Sequence, residues 1–538
     1  MGRKRSKNLW EFRESRSVTW LDRFMLLALV IAGILCILDF MDWWFRPSHI
    51  SVLWFYIMLS FIFWYGLFRL ILIWINYLGI SKPEHIDPEK GLSVAIFTTS
   101  SPGEPLTMFE KTLEACARVS YPHTTYLLDD TRDPRFKEVA EKHGAVWLEL
   151  VGIPGAKAGK INKALKMTKE DFILVLDPDH IPFPEFLDHT LGYFRDEKTG
   201  FVQVSQAYYN QYRSFTAAGA AEQTYTFYGP TQMSLNGYGC SVAIGANCTF
   251  RRKALESIGG HGIGLAEDLI TSIRLHAKGW KSVYNPIIVS RGLVPEDLGS
   301  FCKQQLKWAR GVFEVTFVEI PRLFWNLSFW QRLSYITIGT YYFVGVIQFF
   351  FTLIPFIYFF TGILPASMSF VEFLIHGVPI AFMGIVIYLY MQRWMCHPES
   401  ERGLHWRGMI LKYACWPVFT LGFLLALVNA EIPYIPTAKK AATGYFTPFA
   451  RPLVLQIGVF LFAVISIFSY RKFLMPEADL VMTAEKTWGM IAFSFVAFLM
   501  AVGGVLAALE AWNLEDEDPW AKINLSSIIN SEKYDKGI

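Results

Sequence analysis

The segment Asp171-Phe-Ile-Leu-Val-Leu-Asp-Pro-Asp179 carries five apolar residues in a row, followed by two carboxylates. A short apolar run of this kind is typical of a strand that is buried on both faces. Side chains two positions apart on an extended segment face the same way, so Asp177 and Asp179 are expected to point to one side. Two carboxylates at a strand end form a hard oxygen site that suits Mg²⁺ or Mn²⁺, usually shared with substrate phosphates. An Asp-X-Asp pattern alone is weak evidence, because most such pairs are solvated loops.

Three similar strands precede this one. Residues 92–99, 125–128 and 145–151 are short apolar runs, and helical stretches lie between them at 106–117 and 134–143. Strands that alternate with helices predict an α/β domain whose mostly parallel sheet is covered on both faces. Ligands of such sheets bind beyond the carboxyl ends of the strands, which is where this chain carries its aspartates.

The pair Asp129-Asp130 closes the second strand as Asp177 closes the fourth. It could therefore belong to the same ligand site. The continuation Asp-Asp-Thr-Arg-Asp-Pro is also good turn chemistry, so a purely local role is the alternative.

Lys157 lies in Gly155-Ala-Lys-Ala-Gly-Lys-Ile-Asn, a glycine-containing loop ahead of a helix. A lysine there can act as a point charge on a phosphate, and glycines allow the backbone to approach a ligand closely. The spacing is not that of a P-loop. A solvated loop lysine is the alternative interpretation.

The acid pair Glu267-Asp268 begins the helical stretch Leu269-Ile-Thr-Ser-Ile-Arg-Leu-His. Acids at a helix N-terminus can simply interact with the helix dipole. The functional alternative is a general base, since attack by a sugar hydroxyl requires removal of its proton.

A polar and aromatic patch lies just before the third long apolar run. It predicts either an amphipathic helix at the membrane interface or a platform on which a sugar ring stacks. Its candidate binding residues are Gln304, Lys307, Trp308 and Arg310.

Hydrophobicity is concentrated at the two ends of the chain. The 538 residues have a mean hydropathy of +0.29 and a net charge of +3, so the composition does not favour a nucleic-acid partner. The seven cysteines show no metal-binding spacing. Runs long enough to cross a bilayer predict six membrane spans, at 24–41, 52–78, 334–363, 373–391, 453–470 and 487–509.

The topology follows from the basic N-terminus, which is expected to stay in the cytoplasm. The first two spans then bring the chain back to the cytoplasmic side, so the polar block between about residues 80 and 330 is predicted to be cytoplasmic. The apolar stretch 409–428 contains a lysine and a proline, and we interpret it as a helix that lies in the interface.

Taken together, these residues resemble a family. The chain is similar to the processive membrane glycosyltransferases of family 2, most closely the catalytic subunit of bacterial cellulose synthase, over about residues 85–470. In that family one aspartate motif contacts the uridine of UDP, a Lys-Ala-Gly motif contacts UDP, and an Asp-X-Asp motif holds a metal and the diphosphate. The matching positions here are Asp129-Asp130, Lys157 and Asp177-Pro-Asp179.

The resemblance also implies roles for the later motifs. Asp268, beside Glu267, matches the general base of the family's Thr-Glu-Asp motif. Gln304, Lys307 and Trp308 match the motif that binds the acceptor end and the diphosphate. Thr437 and Lys439 match the gating loop, at 432–440.

Three departures from the family pattern matter. Lys307 stands where the family has an arginine, and a lysine cannot make the bidentate contact with phosphate that an arginine makes. Arg310 is expected to compensate for this loss. Ala266 replaces the threonine of Thr-Glu-Asp. In the family's acceptor segment, matched by 243–247, only a glycine is kept, so the linkage stays open. The cyclic-di-GMP-binding domain of the cellulose synthases is expected to be absent, and with it that regulation.

We therefore predict a multi-pass α-helical membrane protein with an inserted cytoplasmic α/β domain of the Rossmann-like GT-A type. The predicted divisions are 1–80 (N-terminal segment and two spans), 81–330 (glycosyltransferase domain), 331–512 (four spans, interface helix and gating loop) and 513–538 (short acidic tail). The expected setting is a bacterial inner membrane.

The resemblance implies a processive, inverting polymerisation of UDP-glucose into a β-glucan, with Mg²⁺ or Mn²⁺ as cofactor and translocation across the membrane. The expected partners are a UDP-sugar donor, a growing polysaccharide acceptor, membrane lipid and accessory export subunits. The alternatives are a β-1,3- or mixed-linkage glucan, hyaluronan or chitin synthase, a non-processive lipid-linked sugar transferase, and a transporter or scaffold with an inactive domain.

Overall fold

A computed structural model describes residues 10–430, 432, 484–510, 520, 523 and 525. Its longer helices are α1 (Trp20–Trp44), α2 (Leu53–Tyr77), α3 (Leu106–Cys116), α4 (Pro134–Lys142), α5 (Ala156–Leu165), α6 (Phe215–Thr226), α7 (Glu267–Ala277), α8 (Leu298–Glu314), α9 (Phe329–Gly339), α10 (Val344–Thr361), α11 (Phe370–Met391), α12 (Trp406–Ala414), α13 (Trp416–Leu427) and α14 (Ala484–Glu510). Shorter helices cover Gln232–Gly237, Arg252–Ser257, Ile320–Leu323 and Pro398–Glu401.

The main sheet has seven strands: β1 (Val94–Thr99), β2 (Thr124–Asp129), β3 (Val146–Glu149), β4 (Phe172–Leu176), β5 (Thr199–Val204), β6 (Cys248–Arg251) and β7 (Lys281–Asn285). Their order is β7-β5-β6-β4-β1-β2-β3. All neighbouring pairs are parallel except those made by β6, which runs antiparallel to β4 and β5. The prediction of a mostly parallel sheet is confirmed, whereas β5, β7 and the antiparallel β6 were not predicted.

The central strands of the sheet are covered on both faces because consecutive apolar residues point alternately to opposite sides. In β1, Val94 and Ile96 pack into one hydrophobic cluster, while Ala95 and Phe97 pack into the cluster on the opposite face. This is the two-residue alternation of a strand whose two faces are both buried. The carboxyl ends of β1, β2 and β4 therefore meet at one edge, with the aspartates beyond it.

Two smaller sheets accompany the main sheet, one with two strands and one with three. The N-terminal strand Arg13–Glu14 pairs antiparallel with Ile287–Ile288. Ser290–Gly292 pairs with Ile181–Pro182 and with Ala207–Tyr208, and it thereby lies beside the residues that follow β4.

Within the described residues, four helical segments are long and apolar enough to cross a membrane: Trp20–Trp44, Leu53–Tyr77, Phe329–Tyr358 and Phe370–Trp394. They correspond to the first four predicted spans. The helix α14 covers the predicted sixth span, and the predicted fifth span lies outside the described residues. These helices lie before and after the α/β domain in the chain, as expected.

The stretch predicted as one interface helix is two helices. α12 and α13 meet at an angle of 50°, with Cys415 between them and Pro417 at the start of the second. Proline lacks a backbone N–H and is best tolerated in the first turn of a helix, which is the position that Pro417 takes in α13. α12 packs against α6 and α14, whereas α13 packs against α8 and α10.

Three of the described residues in the predicted acidic tail are buried. Trp520, Ile523 and Leu525 belong to the hydrophobic cluster that includes Phe109 of the α/β domain. The Trp520 ring lies 5.5 Å from that of Tyr209.

Candidate active site

The residues that follow β4 form a compact cluster of metal-type ligands. Ligand atoms of Asp177, Asp179 and His180 all lie within 4.8 Å of one another. Asp179 is 3% exposed, and its Oδ1 lies 3.0 Å from Nδ1 of His180. Thr112 donates a 2.6 Å hydrogen bond to the carbonyl of Pro178, which holds the turn between the two aspartates.

Lys157 connects this cluster to the acid pair. Its ammonium donates to Asp177 Oδ1 at 2.5 Å and to the carbonyl of Gly245. Burial opposes the positive charge, but Asp177, Glu267 and Asp268 together raise the pKa of Lys157. The lysine is therefore a buried, charged link between the two groups of carboxylates.

The third residue of the Lys-Ala-Gly motif must be glycine for a steric reason. A Cβ at Gly159 would lie 1.9 Å from the carbonyl oxygen of Pro154. Only glycine allows the first turn of α5 to lie this close to the preceding loop. The close approach fixes the start of the helix that carries Lys157.

Asp129 is tied into its own turn. Its Oδ1 accepts hydrogen bonds from Ser100 Oγ at 2.5 Å and from the backbone N–H and hydroxyl of Thr131 at 3.0 and 2.8 Å. Its Oδ2 accepts from the indole of Trp147 at 3.0 Å. The local role that turn chemistry predicted is present, and the predicted contact with a nucleotide stays a prediction.

Asp130 faces a second buried lysine that the sequence analysis did not single out. Asp130 Oδ1 accepts from the backbone of Gly152 at 3.0 Å, and its Oδ2 lies 3.7 Å from Lys160 Nζ. Lys160 is 2% exposed and donates to the carbonyl of Ser100 at 2.5 Å. A signal was available, because Lys160 follows Lys157 by one helical turn and so lies on the same face of α5.

Asp268 is a carboxyl group in an environment that favours its neutral form. Burial, followed by the charge of Glu267, raises the pKa of Asp268 to about 7. The backbone N–H of Leu269, Lys157 and Lys307 act in the opposite direction. A carboxyl that titrates near neutrality is poised to accept a proton at physiological pH.

The loop 243–247 lies between Lys157 and Asp268. Gly245 has a φ of +82°, and a Cβ there would lie 3.5 Å from Asp268 Oδ2. Asn247 has a φ of +56° and is completely buried, and both polar atoms of its amide lack a hydrogen-bond partner among the described residues. Asn247 ends the segment 243–247 that was matched to the acceptor segment, but its residue type gave no sign that its amide would be buried without a partner in the described part of the chain.

The comparisons with known proteins agree with this chemistry. The profile of the glycosyl transferase family group 2 matches residues 172–395. Over these residues the chain is similar to the family 2 glycosyl transferases. The matched range includes the cluster after β4, the acid pair and α8, whereas Asp129 and Lys157 precede it.

The relatives of this chain include cellulose synthases. The chain is 30% identical to the UDP-forming cellulose synthase catalytic subunit of Komagataeibacter sucrofermentans over 314 residues, which are 55% of this chain and 41% of that protein. It is 29% identical to the corresponding subunit of Xanthomonas axonopodis over 276 residues, 49% of this chain and 38% of that one. The chain thus spans about two fifths of the length of these relatives.

Among solved structures, the chain is similar to a mannosyltransferase of Pyrobaculum calidifontis that was solved with GDP-mannose and Mn²⁺. The identity is 14%, the match covers 86% of this chain and 100% of that one, and the TM-score is 0.39.

Helix α8 carries the last predicted motif that lies in the described part of the chain. Gln304, Lys307 and Trp308 are half-buried, and Trp308 packs beside the cluster that includes Phe301 and Phe313. Among these residues, Lys307 is the one whose charge acts on the Asp268 carboxyl.

Arg310 is held by hydrogen bonds to another residue of α8 and to the segment that follows α13. Its guanidinium donates to Glu314 at 3.0 Å, to the side chain of Asn429 at 3.3 Å and to the carbonyl of Ala430 at 3.3 Å. These contacts tie α8 to the end of α13. The predicted replacement of the family arginine by Arg310 is untested, as are the gating-loop residues Thr437 and Lys439, which lie outside the described residues.

A close approach of α8 to α7 depends on a glycine. A Cβ at Gly311 would lie 2.8 Å from the backbone nitrogen of Ala266, the residue before the acid pair. We expect Gly311→Ala to lower the free energy of unfolding by about 1–3 kcal/mol, because backbone must move to admit the methyl group. The thermal unfolding midpoint of the full chain in detergent measures this. Gly66→Ala is the matched control, because a Cβ there would contact nothing within 4 Å. Equal midpoints for the two variants would contradict the prediction.

Proposed function

We propose that this chain is a processive, inverting β-glycosyltransferase that transfers glucose from UDP-glucose to a growing β-glucan and passes the product across the membrane. One observation carries the proposal. Asp268, a carboxyl whose pKa is raised to about 7, is electrostatically coupled to Lys157, which hydrogen-bonds the strand-end carboxylate Asp177. This arrangement supplies a base for an acceptor and an anion-neutralising site for a donor.

The cluster after β4 fits a divalent cation. It offers two carboxylates and an imidazole within 4.8 Å, and Mg²⁺ and Mn²⁺ prefer oxygen ligands of this kind. In this proposal Asp177 and Asp179 hold the cation, which would supply positive charge to the leaving diphosphate. Lys157 holds Asp177 in place and contributes its own charge to the same region.

The transfer step uses Asp268 as general base. Its carboxylate takes the proton of the acceptor hydroxyl, and the oxygen forms a bond to the anomeric carbon of glucose. The bond between that carbon and the diphosphate breaks, and UDP leaves with the electron pair. Glu267 is the adjacent acid whose charge raises the proton affinity of Asp268. Lys307, whose charge also acts on Asp268, stabilises the negative charge that develops on the diphosphate.

The remaining predicted residues bind the substrates. In the proposal Asp129 and Asp130 contact the nucleotide, Trp308 stacks on the acceptor sugar, and Gln304 lies near the acceptor end. The other proposed contacts, to phosphate and to the closing loop, are Arg310, Thr437 and Lys439.

The setting of the reaction follows from the chain order. The glycosyltransferase domain lies between α1 and α2 on one side of the sequence and α9 to α11 on the other. We propose that the domain faces the cytoplasm of a bacterial inner membrane, where UDP-sugars are made, and that the product passes between the membrane helices. Accessory export subunits would receive it on the other side.

The test is UDP release by the purified chain in nanodiscs. UDP-glucose, UDP-N-acetylglucosamine and UDP-glucuronate are offered in turn with Mg²⁺ or Mn²⁺. Release from UDP-glucose alone, with a product cut by linkage-specific glucanases, supports the proposal. Release from UDP-N-acetylglucosamine, alone or with UDP-glucuronate, would reassign the chain to chitin or hyaluronan synthesis. A product of a single sugar on lipid would exclude processivity.

The pH profile of UDP release tests the role of Lys307. Activity is expected to fall as the pH drops below about 7, because Asp268 must be deprotonated to act as a base. Lys307 lowers the pKa of Asp268, so Lys307→Met is expected to move this acidic limb to higher pH. Lys303→Met, an exposed lysine about one turn earlier on α8, is the matched control and is expected to leave the limb in place. A limb that does not move in Lys307→Met would contradict the arrangement.

A further inference from the structure

A cleft of about 440 Å³ lies at the far end of α7, away from the acid pair. Its lining includes three cationic side chains, Arg274, Lys278 and Arg322, together with the apolar Leu323. Lys278 follows Asp268 by ten residues along a helix, which is about 15 Å at the α-helical rise. The proposed sugar-nucleotide site therefore does not include this cleft.

The cleft carries excess positive charge. Arg274 Nη2 lies 2.5 Å from Glu319 Oε1, and Arg322 Nη2 lies 3.1 Å from Glu319 Oε2. One buried carboxylate thus orients two guanidinium groups, and Lys278 adds a third, exposed cation. A guanidinium has five N–H donors, more than these contacts to Glu319 use, so the pair can also bind an anion.

The cleft also lies at the start of a membrane-spanning segment. The segment Phe329–Tyr358, which is long and apolar enough to cross a membrane, begins six residues after Leu323. Beside the cleft, Trp325 is 82% exposed and Phe329 is 65% exposed. Exposed aromatic residues at the end of such a segment are typical of the headgroup level of a bilayer. Basic side chains next to them face the phosphates of that layer.

We propose that this cleft binds the phosphodiester headgroup of an anionic phospholipid. The two arginines and Lys278 contact the phosphate, and the acyl chains lie along Trp325 and Phe329. The exposed apolar surface favours a lipid over free phosphate, because only the lipid covers both the charged and the apolar part of the site. Since Arg274 and Asp268 lie on the same helix, the bound lipid would position α7 relative to the membrane surface.

The test is an equilibrium titration of the full-length chain in a zwitterionic detergent with fluorescently labelled phosphatidylglycerol, followed by anisotropy. The double variant Lys278→Gln/Arg322→Gln is expected to bind about 20- to 30-fold more weakly, at about fivefold for each cation removed. Arg274 is left intact, since it anchors α7 to Glu319. The matched control is Lys90→Gln/Lys169→Gln, which removes the same charge from two exposed lysines ahead of β1 and β4.

Each outcome decides the proposal. The control pair, and the charge-preserving variant Lys278→Arg/Arg322→Lys, are expected to bind within about twofold of the unmodified chain. Equal binding by the glutamine pair and the unmodified chain would overturn the assignment. Equal affinity for labelled phosphatidylcholine, or displacement of the lipid by inorganic phosphate, would also overturn it, the latter in favour of a simple phosphate site.

Discussion

The Asp268→Asn variant is expected to release UDP about 10²- to 10⁴-fold more slowly than the unmodified chain, which is the usual contribution of a general base. Asparagine keeps the shape of the side chain but cannot take the proton of the acceptor hydroxyl. The measurement is steady-state UDP release from UDP-glucose in nanodiscs, with a saturating divalent cation. Glu267→Gln is the matched control at the adjacent position.

The control has its own expected result. The charge of Glu267 raises the pKa of Asp268, so its removal is expected to move the acidic limb of the pH profile to lower pH while activity at pH 8 is kept. If Glu267→Gln lost as much activity as Asp268→Asn, or if Asp268→Asn stayed active, Asp268 would not be the base.

The stability of Asp268→Asn separates lost chemistry from misfolding. The pKa of Asp268 is raised from 3.8 to about 7 in the folded chain, so the folded state binds more protons than the unfolded state between these values. Ionisation of Asp268 therefore lowers stability as the pH rises through this range, and the loss is complete above about 7. Asparagine does not ionise, so the unfolding midpoint of the variant at pH 8 is expected to be no lower than that of the unmodified chain. A marked fall would instead indicate structural damage.

The Asp179→Asn variant is expected to lower UDP release by about 10²-fold or more, in keeping with the several kcal/mol that a metal contributes to charge stabilisation. Asp179 is 3% exposed and faces both Asp177 and His180, so loss of its charge removes a ligand from the centre of the cluster. The same variant is expected to bind Mn²⁺ more weakly in the presence of UDP, which electron paramagnetic resonance of free Mn²⁺ measures. The slower UDP release and the weaker Mn²⁺ binding would both follow from the loss of one metal ligand.

A matched aspartate lies nearby. Asp188 is half-buried, and Asp188→Asn removes the same charge a few residues beyond the cluster. This control is expected to keep both Mn²⁺ binding and UDP release. Full activity of Asp179→Asn with Mn²⁺ would rule out the proposed metal site, while equal losses in both variants would point to a general effect of charge.

Much of the fold could be predicted from local pattern. The four predicted strands agree with β1 to β4 to within about two residues at each end, because a strand buried on both faces appears as an uninterrupted apolar run. The antiparallel β6 was missed, since Cys248-Thr-Phe-Arg251 is short and mixed in polarity. The bend between α12 and α13 was also missed, although Pro417 was recognised in the stretch.

The candidate site was likewise predictable only in part. The aspartates at the ends of β2 and β4 were predicted to lie together because parallel strands bring their carboxyl ends to one edge of the sheet, independently of the conformation of the connecting loops. The contact of Lys160 with Ser100 and the close approach of Gly311 to Ala266 join residues at least 45 positions apart in sequence. Neither could be read from spacing.

The sequence by itself determined the α/β domain, its position between helices that are long and apolar enough to cross a membrane, and the positions of the acidic motifs, because hydrophobic periodicity and strand order depend on local residues. Only the tertiary structure gives the Asp268 carboxyl its raised pKa. At a helix N-terminus the sequence left a dipole partner and a base equally open. Burial, Glu267, Lys157 and Lys307 together set its pKa near 7, and they come from three helices that are remote in the chain. A proton affinity of this kind is a sum over the folded surroundings, so it exists only once those helices are packed together.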